Sequence, residues 1–117
     1  MTGLMGRIIL VVDDEPLVAL DIAHCLQTEG ASVQTAHCLA EGLRLAEHRD
    51  LSAAVLDYRF SDGEGTVLCE RLKELNVPFV LYTGYDQVDG TCGSGVVLRK
   101  PATREQLVSA VKRILCK

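Results

Sequence analysis

Residues 7–15 read Arg-Ile-Ile-Leu-Val-Val-Asp-Asp-Glu, an apolar and mostly β-branched run that stops abruptly at acidic residues. A continuous apolar run of this kind predicts a strand that is buried on both faces, as the strands of a parallel sheet are. Strand one is therefore predicted over Arg7 to Val12. Asp13 and Asp14 follow at its carboxyl end.

Four more strands are predicted further along the chain. Leu51 to Leu56 is a second apolar run and ends on Asp57, while Pro78 to Thr83 is a third. Ser32 to Ala36 and Val96 to Leu98 are shorter candidates. The three longest runs each end on or directly before a polar residue that can bind a ligand or take part in a reaction.

Apolar residues at helical spacing separate these strands. They predict helices from Pro16 to the C-capping Gly30, from Leu39 to about His48, along Leu68 to Leu75, and after the capping box of Thr103 and Gln106. Strands that alternate with helices call for right-handed crossovers and a parallel sheet that is covered on both faces. The fold class predicted is α/β.

The segment from Gly84 to Gly95 breaks this alternation. It contains four of the ten glycines and no helical stripe, and at most one turn is expected around Asp86 to Asp89. A fourth helix, between strands four and five, is therefore expected to be short or disordered.

The residues that end the strands should meet at one edge of the sheet. Asp13, Asp14, Asp57, Thr83 and Lys100 all stand at carboxyl ends of predicted strands, where open α/β sheets bind ligands. Three carboxylates at such an edge repel one another by several kcal/mol per pair at an effective dielectric of about 20, so they need a divalent cation or protonation to coexist. Mg²⁺ fits, because it binds a few carboxylates together with water and phosphate.

This set also fits phosphoryl transfer, because a carboxylate beside Mg²⁺ and a lysine can attack a phosphoryl donor. Over nearly its whole length the sequence resembles the receiver domains of bacterial response regulators. The resemblance is carried by V-D-D-E-P at 12–16, Asp57, Y-T-G at 82–84 and R-K-P-A at 99–102. It implies a flavodoxin-like, doubly wound, five-stranded parallel sheet of strand order 2-1-3-4-5.

The resemblance also implies roles for these residues. Asp57 would accept a phosphoryl group from a histidine kinase or histidine phosphotransfer protein, Thr83 would switch, and Lys100 would contact the phosphate. Asp13, Asp14, Asp57 and the backbone carbonyl of Arg59 would hold Mg²⁺ or Mn²⁺, and the Lys100–Pro101 peptide bond would be cis. The protein would signal to a downstream protein by contact, and would catalyse only its own phosphorylation and dephosphorylation.

Two features depart from the usual receiver pattern. Val97 stands where receivers usually place a switch aromatic, three residues before the lysine. The stretch Leu-Tyr-Thr-Gly-Tyr at 81–85 resembles the motif of the atypical FATGUY receivers, so that signalling is expected through Thr83, Gly84 and Tyr85. Tyr82 or Tyr85 could supply the missing aromatic ring, and Arg59 could pair with the phosphate or Asp62, or be solvated.

Composition limits the other possibilities. The 117 residues predict one domain over 1–117, and a net charge of −4 argues against direct nucleic-acid binding. The absence of an apolar run of about 18 residues predicts no membrane span, and we expect a cytoplasmic monomer or weak homodimer. The five cysteines show no C-x-x-C spacing and are expected to be free thiols in a reducing compartment.

The sequence is compatible with two alternative functions. A degenerate receiver would act as a binding module independent of phosphorylation, which Val97 and the shrunken fourth helix make conceivable. A phosphohydrolase of the haloacid dehalogenase type would use the same chemistry but needs D-x-D-x-T after strand one, where this chain has Asp13, Asp14 and Glu15.

Overall fold

The centre of the molecule is a parallel sheet of five strands. The computed structural model describes residues 3–84, 92 and 95–116. The sheet strands are β1 (Ile8–Val12), β2 (Ser32–Ala36), β3 (Ala53–Leu56), β6 (Phe79–Thr83) and β7 (Val96–Arg99), in the order β2-β1-β3-β6-β7. A separate antiparallel hairpin, β4 (Arg59–Phe60) with β5 (Gly63–Glu64), lies between β3 and the next helix.

Four helices are present among the described residues. They are α1 (Pro16–Gln27), α2 (Leu39–Leu45), α3 (Thr66–Glu74) and α4 (Arg104–Leu115). The longest have 12 residues, and no helix in the described ranges has the length and apolarity needed to cross a bilayer. Thr103 and Gln106 form both bonds of the predicted capping box at the start of α4.

Side chains of the sheet alternate between two apolar cores. Leu10 and Val12 of β1 point into a core with α2 and α3, whereas Ile9 and Val11 point into a core with α1 and α4. All four side chains are fully buried, and each such burial stabilises the fold by roughly 1.5–3 kcal/mol. The helices therefore lie on both faces of the sheet, as expected.

The predicted architecture is confirmed, with small differences at the ends of elements. The observed strand order corresponds to the predicted order 2-1-3-4-5, because the hairpin adds two strands to the count between β3 and β6. This hairpin was not predicted, since its two-residue strands are too short to show a periodic pattern. Helix α2 ends at Leu45 rather than near His48. The expected turn at Asp86 to Asp89 lies outside the described residues.

The expectation of five free cysteines is wrong for two of them. Cys69 on α3 and Cys92 form a disulfide bond, with a Cα–Cα distance of 5.2 Å. Both are fully buried in the core that α2 and α3 share. Spacing along the chain could not indicate this pair, because the fold brings together residues that are 23 positions apart. Cys25, Cys38 and Cys116 are free, as expected.

Breaking the disulfide is expected to lower the free energy of unfolding by about 3 kcal/mol, because the cross-link restricts the unfolded chain over a loop of this length. Denaturant titrations of the oxidised protein, the reduced protein and Cys92→Ala would measure the difference. Cys116→Ser, which changes an exposed free thiol, should leave the midpoint unchanged. Equal midpoints for the oxidised and reduced proteins would contradict the prediction.

Candidate functional site

The carboxyl ends of the strands bring the predicted site residues together. Asp13 and Asp14 follow β1 and Asp57 follows β3, and one carboxylate oxygen of each lies within 4.8 Å of the others. The parallel register produces this meeting, because Val12 of β1 pairs with Leu56 of β3 at the last step of both strands. Asp13 is buried, Asp14 is exposed and Asp57 is half-buried.

Lys100 follows β7, which lies two strands away from β3 in the sheet, and its side chain reaches this cluster. Its Nζ donates to Asp57 Oδ2 at 3.0 Å and to Asp13 Oδ2 at 3.2 Å. One ammonium offsets only part of the charge of three carboxylates. The donor set therefore fits a divalent cation with a preference for oxygen ligands, such as Mg²⁺.

Asp57 is held in one orientation by three contacts. Its amide donates to the Val12 carbonyl at 3.1 Å, and its Oδ1 accepts from the Tyr58 amide at 2.7 Å. Oδ2 accepts from Lys100, and the side chain is 12% exposed. The carboxylate is thus accessible to a reagent while its direction is fixed.

The site is shaped by burial and by opposite charges. Burial raises the pKa of Asp13, although a hydrogen bond from the Glu15 amide and the charge of Lys100 act in the opposite direction. Burial would lower the pKa of Lys100, but its contacts with Asp57 and Asp13 outweigh this and raise it. Lys100 therefore stays protonated and cationic throughout the physiological range.

Thr83 lies at the end of β6 and is fully buried. Its carbonyl accepts a hydrogen bond from the Lys100 amide at 2.9 Å, which fixes the start of the turn after β7. The Lys100–Pro101 peptide bond is cis, as the family resemblance implies. Gly84 is exposed, and the switch role expected for Tyr85 concerns a residue outside the described ranges.

Tyr82, which precedes Thr83 on β6, contacts the same turn through its side chain. Its hydroxyl accepts a hydrogen bond from the Ala102 amide at 3.1 Å. The Lys100 ammonium lies 5.4 Å from the centroid of its ring. The sequence identified Tyr82 only as a possible substitute for the switch aromatic, and its contact with Lys100 was missed.

Arg59 lies on the hairpin just beyond Asp57. Its guanidinium is 3.8 Å from the Glu64 carboxylate, and both side chains are 56% exposed. An exposed pair of this kind contributes little to stability. The carboxylate of Asp62, the partner that the sequence left open for Arg59, accepts from the backbone amides of Leu39 and Ala40.

Asp62 caps α2 from a distant position in the chain. Its two carboxylate oxygens accept from the amides of Leu39 at 2.8 Å and Ala40 at 3.1 Å. These backbone hydrogen bonds lower the pKa of Asp62. Cys38, the residue at the N-cap position of α2, makes no side-chain cap of its own. The loop after Asp57 is therefore fixed to α2, which no sequence signal indicated.

Gly65 allows α3 to start against the backbone that directly follows β3. A Cβ at this position would lie 2.8 Å from the carbonyl oxygens of both Asp57 and Tyr58. The Gly65 amide donates to the Tyr58 carbonyl at 2.5 Å. A side chain here would push α3 away from the backbone of Asp57 and Tyr58.

A separate cavity of about 770 Å³ lies at the opposite edge of the sheet. It opens beside the amino-terminal ends of β6 and β7, and its lining includes Lys73, Phe79 and Arg113. None of the described lining residues is a carboxylate. The acidic cluster is thus not part of this cavity but lies at the surface of the carboxyl edge.

Comparison with known proteins gives a consistent result. Residues 9–112 match the response regulator receiver domain family. Photosynthetic apparatus regulatory protein RegA of Cereibacter sphaeroides is 32% identical over 116 residues, which cover 93% of this chain and 62% of that protein. Acid tolerance regulatory protein ActR of Rhizobium meliloti is 28% identical, with coverage of 88% and 57%. The chain spans less than two thirds of the length of these curated relatives.

Solved structures agree in fold. A CheY-like response regulator receiver domain protein from Methanospirillum hungatei superposes with a TM-score of 0.84 at 28% identity, covering 93% of each chain. A response regulator from Burkholderia pseudomallei, solved with a phosphorylated aspartic acid, a calcium ion and citrate, gives 0.79 at 27% identity. That match covers 89% of this chain and 65% of the other.

Asp13→Asn is expected to stabilise the metal-free protein at neutral pH by about 0.5–2 kcal/mol, because it removes from beside Asp57 a buried negative charge, that of a carboxyl group whose pKa is raised by burial. The pKa of Asp13 is higher in the folded protein than its ordinary value of 3.8. As the pH rises from below 3.8 through the pKa of the folded state, the wild type should therefore lose stability relative to the variant. Thermal melts with a chelator at several pH values would measure this.

Asp21→Asn serves as the control, because it removes an exposed aspartate on α1 that lies outside the cluster. Added Mg²⁺ should raise the melting temperature of the wild type and of the control but not that of Asp13→Asn. Equal melting temperatures for the wild type and Asp13→Asn at every pH would refute the prediction.

Proposed function

The chain belongs to the response regulator receiver domain family, and on that premise we propose that it accepts a phosphoryl group on Asp57 from a histidine kinase or histidine phosphotransfer protein. The observation that carries the proposal is the fixed carboxylate of Asp57 between the Lys100 ammonium and the Asp13–Asp14 pair. The phosphorylated aspartic acid in the similar Burkholderia pseudomallei protein supports it.

The proposed step is an in-line displacement at phosphorus. An Asp57 oxygen forms the new P–O bond while the P–N bond to the donor imidazole breaks, and the electron pair of that bond remains on the imidazole nitrogen. Lys100, whose ammonium already touches Asp57, offsets the negative charge that spreads over the transferred oxygens. The amide of Tyr58 keeps the carboxylate turned in one direction.

We further propose that Mg²⁺, or Mn²⁺ in its place, is held by Asp13, Asp14, Asp57 and the backbone carbonyl of Arg59. The fit rests on carboxylate oxygens that lie within 4.8 Å of one another. Such a cation would offset the negative charge of the carboxylates and of the incoming phosphoryl group. Attack by water on the acyl phosphate would return Asp57 to its free form, and we propose no other catalytic activity for the chain.

The donor and the recipient of the signal are proposed to be proteins. Asp57 lies at a shallow, half-buried position rather than in a closed cavity, which suits a macromolecular donor. Leu17 and Leu20, which are 80% and 64% exposed, add an apolar surface on α1, the helix that follows Asp13 and Asp14 in the chain. We propose a cytoplasmic protein that signals through Thr83, Gly84 and Tyr85 to a downstream partner.

Incubation with Mg²⁺ and a small phosphodonor such as acetyl phosphate should label the wild type with an acid-stable, base-labile phosphate. Asp57→Asn should abolish the label, because the amide cannot form an acyl phosphate. Lys100→Met should slow labelling by at least about tenfold, as a buried charge contact to the reacting group is lost. Mass spectrometry of the intact protein would measure each outcome.

Asp50→Asn provides a matched control, because it changes an exposed aspartate away from the cluster and should label like the wild type. A wild type that stays unlabelled with Mg²⁺ and donor present would refute the proposal. That result would favour the degenerate receiver that acts only as a binding module.

A further inference from the structure

The turn that carries Lys100 is attached to two successive residues of β6. On one side, the Lys100 amide donates to the carbonyl of Thr83 at 2.9 Å. On the other side of the cis Lys100–Pro101 bond, the Ala102 amide donates to the hydroxyl of Tyr82 at 3.1 Å. The turn is therefore attached at both ends, once by a backbone group and once by a side chain.

Tyr82 can make this contact because side chains alternate along a strand. Leu81 of β6 belongs to the core with α2 and α3, whereas Tyr82 packs against the core with α1 and α4. The ring thus lies under the connection from β7 to α4, and its hydroxyl reaches the last residues before α4 begins at Arg104.

The same ring also faces the cation of the site. The Lys100 ammonium is 5.4 Å from the ring centroid, within the range of a cation–π attraction. The lysine side chain is flexible, and only 22% of it is exposed. The ammonium is thus held between the aromatic ring and the carboxylates of Asp57 and Asp13.

We propose that Tyr82 is a positioning residue for phosphoryl transfer, which holds Lys100 where its ammonium meets the group on Asp57. Its hydroxyl fixes the turn and its ring restricts the ammonium. This inference rests on the proposed function and adds to it, because it assigns the placement of Lys100 to a side chain that touches neither the acceptor nor the donor.

The test compares the rate of labelling by acetyl phosphate and Mg²⁺ in the wild type, Tyr82→Leu and Tyr82→Phe. Tyr82→Leu, which loses both contacts, should label about tenfold more slowly. Tyr82→Phe, which keeps the ring but loses the acceptor for the Ala102 amide, should be slowed by about two- to fivefold.

The decisive measurement places the same changes in a Lys100→Met background. If Tyr82 acts through Lys100, Tyr82→Leu should slow labelling there by less than about twofold, since interacting residues are not additive. An equal slowing with and without Lys100 would overturn the inference. Tyr82→Phe leaves the core packing intact and provides the test if Tyr82→Leu proves unstable.

Val33→Ala is the matched control for lost packing. Val33 packs against the same core but lies on β2, the edge strand furthest from β7. This variant should melt at a lower temperature and label at the wild-type rate. If the wild type is labelled and Tyr82→Leu is labelled at the same rate, the inference about Tyr82 is overturned and the proposed function stands. If the wild type is not labelled, the proposed function is overturned and this inference with it.

Discussion

The contact of the Lys100 ammonium with Asp57 and Asp13 is the constraint on which the rest of the site depends. Without a cation, these carboxylates could not share one edge of the sheet at neutral pH. Lys100 comes from β7, which lies two strands away from β3, a distance of roughly 10 Å at normal strand spacing. A long side chain must cross β6 to close that gap, and the residues of β6 are therefore the ones that hold its turn.

Much of this arrangement could be predicted because it depends on local burial. β1, β3 and β6 are covered on both faces, so each appears in the sequence as an apolar run that ends where the sheet ends. The meeting of Asp13, Asp57 and Lys100 followed from one further rule, that parallel strands place their carboxyl ends at one edge. The capping box of α4 was equally local, since Thr103 and Gln106 bond within a single helical turn.

The contacts that could not be predicted join residues far apart in the chain. Asp62 caps α2 across 23 and 22 positions, and the Tyr82 hydroxyl meets Ala102 across 20. Neither residue is unusual in its own neighbourhood, so no periodicity or spacing marks it. The Cys69–Cys92 bond is also a long-range contact, because the two cysteines come together only when α3 packs against the sheet. Local patterns predicted the elements, whereas these side-chain bonds depend on their final packing.

The Cys69–Cys92 bond encloses β6 in a covalent ring that starts on α3, the helix that follows Asp57 and the hairpin. By thermodynamic linkage, two equilibria that share a structural element influence each other by equal free energies. If the proposed phosphorylation of Asp57 shifts Cys92 relative to α3, it changes the stability of the disulfide, and the disulfide changes the stability of the phosphorylated state by an equal free energy. In surroundings that supply a dithiol reductant, such a shift would couple the oxidation state of this buried bond to the proposed change of charge at Asp57.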